Sequence, residues 1–207
     1  MTTKMPEPTV LEGGHVRLEP LAMTHVPDLY AAGGGDEEIW RWVPRVLPET
    51  EEQMRELVRD ALARQAAGEY ACFAVMQRES GRAIGSSSYM NVPQFDHSVE
   101  IGYTWYARSV WRTAVNTESK LLLLSHAFEE LGFDRVMLKA DSLNLRSQNA
   151  IARLGAKYEG TLRHQMIRRD GTWRDTAYFS ILAEEWPDAK KALAARLAQG
   201  TAAKIGD

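Results

Sequence analysis

The segment from residue 107 to residue 116 joins a predicted strand, Ser98–Tyr106, to a helix that Asn116 or Thr117 can cap. A strand-to-helix turn of this kind exposes backbone N–H groups at the positive end of the helix dipole, where phosphate oxygens can bind. A second such turn, residues 141–147, follows the next predicted strand. If these strands are parallel neighbours that diverge after the turns, an extended thioester arm could enter between them and hydrogen-bond to unpaired strand backbone. Many α/β proteins have two such turns, so the alternative interpretation, that these turns bind no ligand, is equally open.

The elements that must position these turns follow from hydrophobic periodicity and turn residues, in the order β, α, α, β, β, β, α, β, α, β, β, α. A capping box, Thr50 with Gln53, predicts the start of the second helix. The triplet 169–171, Arg-Asp-Gly, predicts a hairpin between the last two strands. The three central strands follow one another without a helix, which indicates an antiparallel meander. The sequence therefore predicts a mixed α/β fold and not a doubly wound Rossmann sheet. The predicted strands are Val16–Leu21, Tyr70–Met76, Arg82–Met90, Ser98–Tyr106, Arg135–Ala140, Tyr158–Ile167 and Thr172–Leu182, and the last helix is Trp186–Leu197.

Composition sets wide limits on what the chain can be. With 207 residues, of which 44% are hydrophobic and 26% charged, it fits a soluble globular domain. We expect a flexible arm over residues 1–9, one domain over residues 10–200 and a tail over residues 201–207. The formal net charge of -3 gives no whole-protein argument for binding nucleic acid or an anionic membrane. The single cysteine, Cys72, excludes an internal disulfide, and its apolar surroundings favour a buried small hydrophobe over a nucleophile. The longest strongly apolar run, Leu121–Leu124, is far too short to span a bilayer, so we expect a cytoplasmic protein.

Several short motifs stand in a fixed order on these elements. They are Asn116–Leu123, His126–Glu129, Asn144–Ile151, Arg153–Ala156, Glu159–Arg163, Asp170-Gly171 with Arg174–Thr176, and Glu185–Pro187. Over roughly residues 10–197, this set resembles the RimJ/RimL-type branch of the GNAT superfamily of N-acetyltransferases. The resemblance implies a mostly antiparallel central sheet with a splayed parallel strand pair, flanked by helices. It also implies an enzyme that moves an acyl group, most simply from acetyl-CoA, to a primary amine of a small molecule or protein N-terminus, by direct attack in a ternary complex.

The resemblance also implies where acetyl-CoA would lie. Pyrophosphate would sit at the turn formed by Arg112, Thr113, Ala114, Val115, Asn116 and Thr117. Pantetheine would run along Trp105 and Tyr106, with a hydrogen bond from Asn144. Ser147 stands where related enzymes place a hydroxyl near the thiolate leaving group, so it is a candidate proton donor. A role for Ser147 in capping its own helix is equally open. No metal is implied.

The pyrophosphate turn departs from the family pattern. Relatives usually carry glycine at positions 112 and 114, where this chain has Arg112 and Ala114. A β-carbon at a position that needs φ > 0 costs roughly 1 kcal/mol, which would weaken donor binding without abolishing it. Arg112 could compensate as a phosphate ligand, or it could be an ordinary surface charge.

Amine acylation also needs a general base and an acceptor pocket. Glu100, on the strand that leads to the turn, is the first candidate base, with an outward-facing surface carboxylate as the alternative. His164 is a second candidate, and Glu159 fits a structural ion pair. Some relatives carry a carboxylate further along that strand, where this chain has Met166. The candidate acceptor-binding residues are Trp40, Trp42, Tyr89, Met90 and Asn91, for each of which a core or surface role is equally open.

Two other functions remain open at this stage. Some relatives of this fold take the acyl group from aminoacyl-tRNA, and residues 101–175 carry more Lys and Arg than Asp and Glu. A mixed-charge surface near a CoA phosphate site explains the same excess. The third function is a non-catalytic module that binds CoA. A homodimer is possible by analogy with relatives.

Overall fold

The computed structural model describes residues 3–93 and 96–205 as one eight-stranded sheet with helices on both faces. The order of strands across the sheet is β1-β2-β3-β4-β5-β6-β8-β7. The strands are β1 Leu11–Glu12, β2 Val16–Pro20, β3 Tyr70–Gln77, β4 Ala83–Met90, β5 Ser98–Tyr106, β6 Arg135–Asp141, β7 Lys157–Ile167 and β8 Trp173–Leu182. The helices are α1 Val26–Gly33, α2 Glu37–Trp40, α3 Glu51–Ala66, α4 Ala114–Ser125, α5 Leu145–Ala152 and α6 Trp186–Ile205.

The middle of the sheet contains a slot. β5 and β6 are parallel, and their register covers only Ser98 with Arg135, Val99 with Val136 and Glu100 with Met137. Beyond these pairs β6 continues against β8 alone, while β5 continues against β4. The two strands therefore diverge in the direction of the turns before α4 and α5. This confirms the predicted mixed sheet with one splayed parallel pair.

A bulge in β5 accompanies the divergence. Tyr103 has φ 47°, in the left-handed region, and the register with β4 shifts between Ser86 and Ser88. A bulge bends a strand and raises its local twist, so it turns the end of β5 away from the straight path of the sheet. It also changes which residues of β5 face each side.

Each face of the sheet has its own core. Residues 71, 73 and 75 of β3 face α4, α5 and α6, while residues 72 and 74 face α1 and α3, as strand alternation requires. The α1–α3 face carries the aromatic pair Trp40 and Trp105, with ring centroids 5.2 Å apart. The position of a candidate residue along its strand therefore determines which of the two faces its side chain lies on.

Most predicted boundaries agree with the structure. The capping box is present, with Gln53 N–H donating to Thr50 Oγ1 at 3.2 Å and Thr50 N–H donating to Gln53 Oε1 at 3.1 Å. β1 and α2 were not predicted. The N-cap of α4 is Thr113, whose Oγ1 accepts from Val115 N–H, so the predicted cap at Asn116 or Thr117 is wrong.

Both ends of the described chain were predicted as irregular, and they differ in the structure. Residues 3–10 form no strand or helix, but Lys4 N–H donates to the Leu131 carbonyl at 3.0 Å. α6 continues past the predicted end at Leu197 to Ile205, into the segment predicted as a tail. Among the residues that the structure describes, no helix has both the length and the apolar character needed to cross a membrane.

Candidate acyl-donor and acceptor site

The N-terminus of α4 presents backbone donors that the protein does not use. Thr113 Oγ1 accepts from Val115 N–H at 3.3 Å. The N–H groups of Arg112, Ala114 and Asn116 have no acceptor within the described part of the chain. The leading amides of a helix lie at the positive end of its dipole, so this cluster can bind an anion.

The left-handed residue of this turn is Arg112, with φ 64°. Ala114 is the first residue of α4 and has no positive φ, so the expected strain at position 114 is wrong. The cost of a β-carbon therefore falls on position 112. The Arg112 side chain is exposed at the start of the turn.

The neighbouring edge of β5 lines the slot. From Ile101 to Tyr106 this edge has no partner on β6 in the described register. The side chains of Trp105 and Tyr106 are buried, at 7% and 8% exposure, one on each face of the sheet. A pantetheine arm along these residues would therefore meet their backbone and not their rings. The Tyr106 carbonyl already accepts from Trp111 Nε1 at 3.0 Å.

Asn144 and Ser147 begin α5 on the other side of the slot. Asn144 is the N-cap, and its Oδ1 accepts from Ser147 N–H at 3.0 Å. Capping of α5 is thus a function of Asn144, and the Ser147 hydroxyl has no partner among the described residues. Ser147 is half-buried, so its hydroxyl remains available to a ligand.

A side-chain contact bridges the mouth of the slot. The Arg146 guanidinium, on α5, lies 3.8 Å from the ring centroid of Trp111, in the turn before α4. Arg146 Nη1 also lies 3.7 Å from Glu38 Oε1 on α2. A stacked guanidinium is worth about 0.5–2 kcal/mol, so a ligand can displace it. Neither Trp111 nor Arg146 was predicted as a site residue, because nothing in their spacing indicates contact across two turns.

Glu100 lies at the closed end of the slot. Its side chain is buried on the α1–α3 face, where its Oε2 accepts from Asn91 Nδ2 at 2.7 Å and pairs with Lys139 Nζ at 2.6 Å. The alternative of an outward-facing surface carboxylate is therefore wrong. Lys139 was missed, since it comes from the neighbouring strand β6 and its position depends on the parallel register. Its Nζ also lies 4.8 Å from the Tyr178 ring centroid.

The predicted acceptor residues lie at different places around the sheet. Asn91 joins Glu100, and Trp40 lies on the α1–α3 face, where its Nε1 donates to the Gly33 carbonyl at 2.7 Å. Met90 packs beside Gly102 on that face. Trp42 is half-buried after α2, with the Arg41 guanidinium 5.0 Å from its ring.

The structure contradicts the predicted acceptor-binding role of Tyr89. It is fully buried on the α4 face, with its hydroxyl donating to the Leu123 carbonyl at 2.5 Å. Strand alternation in β4 places position 89 opposite to position 90, so this ring cannot contact an acceptor on the α1–α3 face.

The remaining candidates on β7 lie away from the slot. His164 is exposed and stacks on Trp173, with ring centroids 4.9 Å apart. Glu159 accepts from Ser180 Oγ at 2.6 Å and pairs with Arg135, which confirms a structural ion pair. Met166 occupies a register position opposite Arg174.

One buried cation escaped prediction. Lys120, on α4, is 5% exposed, and its Nζ donates to Thr104 Oγ1 at 2.6 Å and Ser87 Oγ at 3.4 Å. No carboxylate pairs with it among the described residues. Burial lowers the pKa of Lys120 to about 7. The only sequence signal is a lysine beside the leucine run of an apolar helix.

Comparison with known proteins agrees with this geometry. The family model described as "Acetyltransferase (GNAT) domain" matches residues 15–157. A crystal structure of a GCN5-related N-acetyltransferase from Brucella melitensis is 30% identical, with a TM-score of 0.88, over 95% of this chain and 88% of that chain. Mycobacterium smegmatis RimJ, solved in complex with CoA-disulfide, is 23% identical with a TM-score of 0.78, over 95% of this chain and 97% of that chain, and shows the shared fold.

A curated relative points to the same family. The Bacillus subtilis (strain 168) protein named "Putative ribosomal N-acetyltransferase YdaF" is 33% identical over 110 residues, which are 53% of this chain and 59% of that protein. The other two curated relatives are matched over 52% and 60% of their own length. The strand order, the open slot and the family match over residues 15–157 show that the chain belongs to the GNAT acetyltransferase family.

Proposed function

We propose that the chain transfers an acyl group, acetyl in the simplest case, from acyl-CoA to a primary amine. The observation that carries this proposal is the free amide cluster at Arg112, Ala114 and Asn116, which opens beside the unpaired edge of β5. The amides suit pyrophosphate oxygens, and the strand edge suits the amide groups of a pantetheine arm. The exposed Arg112 side chain adds a guanidinium that can bind a phosphate.

The residues around the slot suit direct transfer in a ternary complex. The attacking amine must lose one proton, and the thiolate that leaves must gain one. Glu100 accepts the first proton, directly or through a water molecule, and the Ser147 hydroxyl donates the second. Backbone N–H groups on the free edge of β5 stabilise negative charge on the carbonyl oxygen.

The acceptor that suits this site is an α-amine of a protein or peptide. A carboxylate is a weak base, so an amine that is partly neutral near pH 7 reacts more readily than one that is fully protonated. The ordinary pKa is about 7.7–8.0 for an α-amine and about 10.4 for a lysine side chain. The word "ribosomal" in the name of YdaF supports a protein acceptor.

A thiol-release assay tests the proposal. Acetyl-CoA is mixed with a peptide that has a free α-amine, or with the same peptide acetylated at its N-terminus and carrying one lysine. Cys72, at 1% exposure, contributes no reactive thiol. We expect thiol release with the first peptide and roughly a tenth or less with the second. Ser147→Ala should lower kcat by about a hundredfold, and Ser142→Ala, in the same turn, should not.

Other results would redirect the proposal. Acetyl-CoA binding without turnover of any amine would favour the non-catalytic module. Absence of acetyl-CoA binding, together with aminoacyl-tRNA binding that weakens steeply with salt, would favour the other donor.

A further inference from the structure

A cavity of about 60 Å³ lies on the α1–α3 face of the sheet, beside the slot. Its floor is β4 and β5, and its roof is α3, which contributes Met54, Val58 and Ala61. Trp40 closes one side. Apolar side chains dominate the interior, so it favours an apolar group over a polar one.

The cavity begins at the strand that borders the slot. Tyr103 and Trp105 of β5 both line it, and the backbone edge of these same residues is unpaired towards β6. The bulge at Tyr103, with φ 47°, alters the alternation of β5, and both rings stand on the cavity side. A substrate group at the free edge of β5 is therefore only one side chain away from this space.

The mouth of the cavity is polar, but its charges are already paired. The Arg45 guanidinium lies 4.5 Å from the Tyr103 ring centroid, and its Nη1 is 2.6 Å from Asp60 Oδ2. The rings of Tyr70 and Tyr103 have centroids 5.6 Å apart beside it. Because Arg45 is neutralised by Asp60, the mouth does not offer an unpaired charge to a carboxylate or an ammonium group.

We propose that this cavity is a subsite for a short aliphatic group of a substrate. An engineered apolar cavity of about 150 Å³ holds benzene, so this smaller space holds about two to four carbon atoms. The proposal rests on the proposed function, and the group can come from two sources. It is either the side chain next to the acceptor amine or an acyl chain longer than acetyl.

Two substrate series and one filled cavity test the proposal. In one series the donor is acetyl-, propionyl- or butyryl-CoA with one peptide acceptor. In the other, acetyl-CoA is used with peptides that begin with Gly, Ala or Val. Each buried methylene should raise kcat/KM about threefold to fourfold in one series. Ala61→Leu adds three carbons to the cavity and should flatten that series, whereas Ala63→Leu, on the exposed side of α3, should preserve it. The series that responds identifies the source of the group.

The result that would overturn the subsite is a flat response in both series, or a slope that Ala61→Leu leaves unchanged. If Ala61→Leu does not fold, Val58→Ile fills less of the same space and should flatten the slope in part. Thiol release from acetyl-CoA with the Gly peptide reports the proposed function by itself, so failure of the proposed function can be distinguished from failure of the subsite.

If no substrate pair turns over, butylamine should still shift the Met54 methyl NMR signal of the native chain and not of Ala61→Leu. An unshifted signal would then reject the subsite.

Discussion

The N-termini of α4 and α5 follow neighbouring parallel strands, yet they use their backbone donors in opposite ways. At α5, side-chain oxygens of the turn accept hydrogen bonds from the backbone amides. Leu143 N–H donates to Asp141 Oδ1 at 2.9 Å, and Ser147 N–H donates to Asn144 Oδ1 at 3.0 Å. At α4, Val115 N–H is paired, whereas the N–H groups of Arg112, Ala114 and Asn116 have no acceptor among the residues that the structure describes. A helix N-terminus becomes a ligand site where its donors stay free, and the two turns differ in this respect although their sequence patterns look alike.

The largest expected effect is on the free energy of unfolding, and it concerns Glu118, a carboxylate of α4 that contacts the segment leading into β2. Glu118 accepts from the N–H groups of Gly14, His15 and Val16, at 2.9, 2.6 and 2.7 Å. Glu118→Ala leaves these donors without an acceptor and should lower the free energy of unfolding by about 3–5 kcal/mol. Urea unfolding measures it, with the milder Glu118→Gln as a reference. A loss below about 1 kcal/mol would mean that water replaces the carboxylate.

The next largest effect is on the pH dependence of stability, which we expect the buried Lys120 of α4 to determine. Lys120 has a folded pKa of about 7, below the ordinary value of 10.5, because burial disfavours its charge. The unfolded chain therefore binds more protons between these values, and stability rises with pH across that window. The groups that face Lys120 from β4 and β5 are the hydroxyls of Ser87 and Thr104.

Lys120→Met removes this titration and leaves the Ser87 and Thr104 hydroxyls paired with each other at 2.7 Å. We expect the variant to gain about 2–4 kcal/mol over the native chain at pH 6, and the gap to narrow as the pH rises towards 10. Thermal unfolding at several pH values measures this. Lys191→Met, at an exposed position of α6, should leave the native pH dependence intact. Parallel curves for Lys120→Met and the native chain would contradict the buried-lysine explanation.

A proline tests the free donors of α4 directly. Ala114→Pro removes one unpaired N–H at the first helical position, where proline is well tolerated. Thr113 before it is extended, with φ -100° and ψ -175°, as a residue before proline prefers. The Kd for acetyl-CoA should rise about tenfold by calorimetric titration, with unfolding changed by less than about 0.5 kcal/mol. An unchanged Kd would show that the amide of Ala114 does not contact the donor.

The smallest effect is expected at the other turn. Asn144→Ala removes the N-cap of α5 and should lower the free energy of unfolding by about 1 kcal/mol. The Kd for acetyl-CoA should change by less than about twofold, if the side-chain amide of Asn144 does not bind the donor. A tenfold weaker Kd would place Asn144 in the donor site as well, and would reduce the contrast between the two turns.

The sequence predicted the elements better than the directions of their side chains. Thr50 with Gln53 and the hairpin at 169–171 are local signals, and both are confirmed. The pairing of Glu100 with Lys139 depends on a parallel register that no local pattern contains. Tyr89 was named as an acceptor candidate although it lies in the core, because alternation gives two faces without saying which one meets the substrate. The bulge at Tyr103 alters the alternation within β5, and its left-handed residue is a tyrosine and not a glycine.

Within the described part of the chain, three register pairs join β5 to β6, so the sheet is almost divided into two parts at its centre. A pantetheine arm, which carries amide groups spaced along an extended chain, would act there as a substitute strand. The proposed donor would then be a structural element of the folded state as well as a reactant. Heating the chain with excess CoA should accordingly delay the separation of the two parts, and the release of CoA after each turnover should restore a looser sheet.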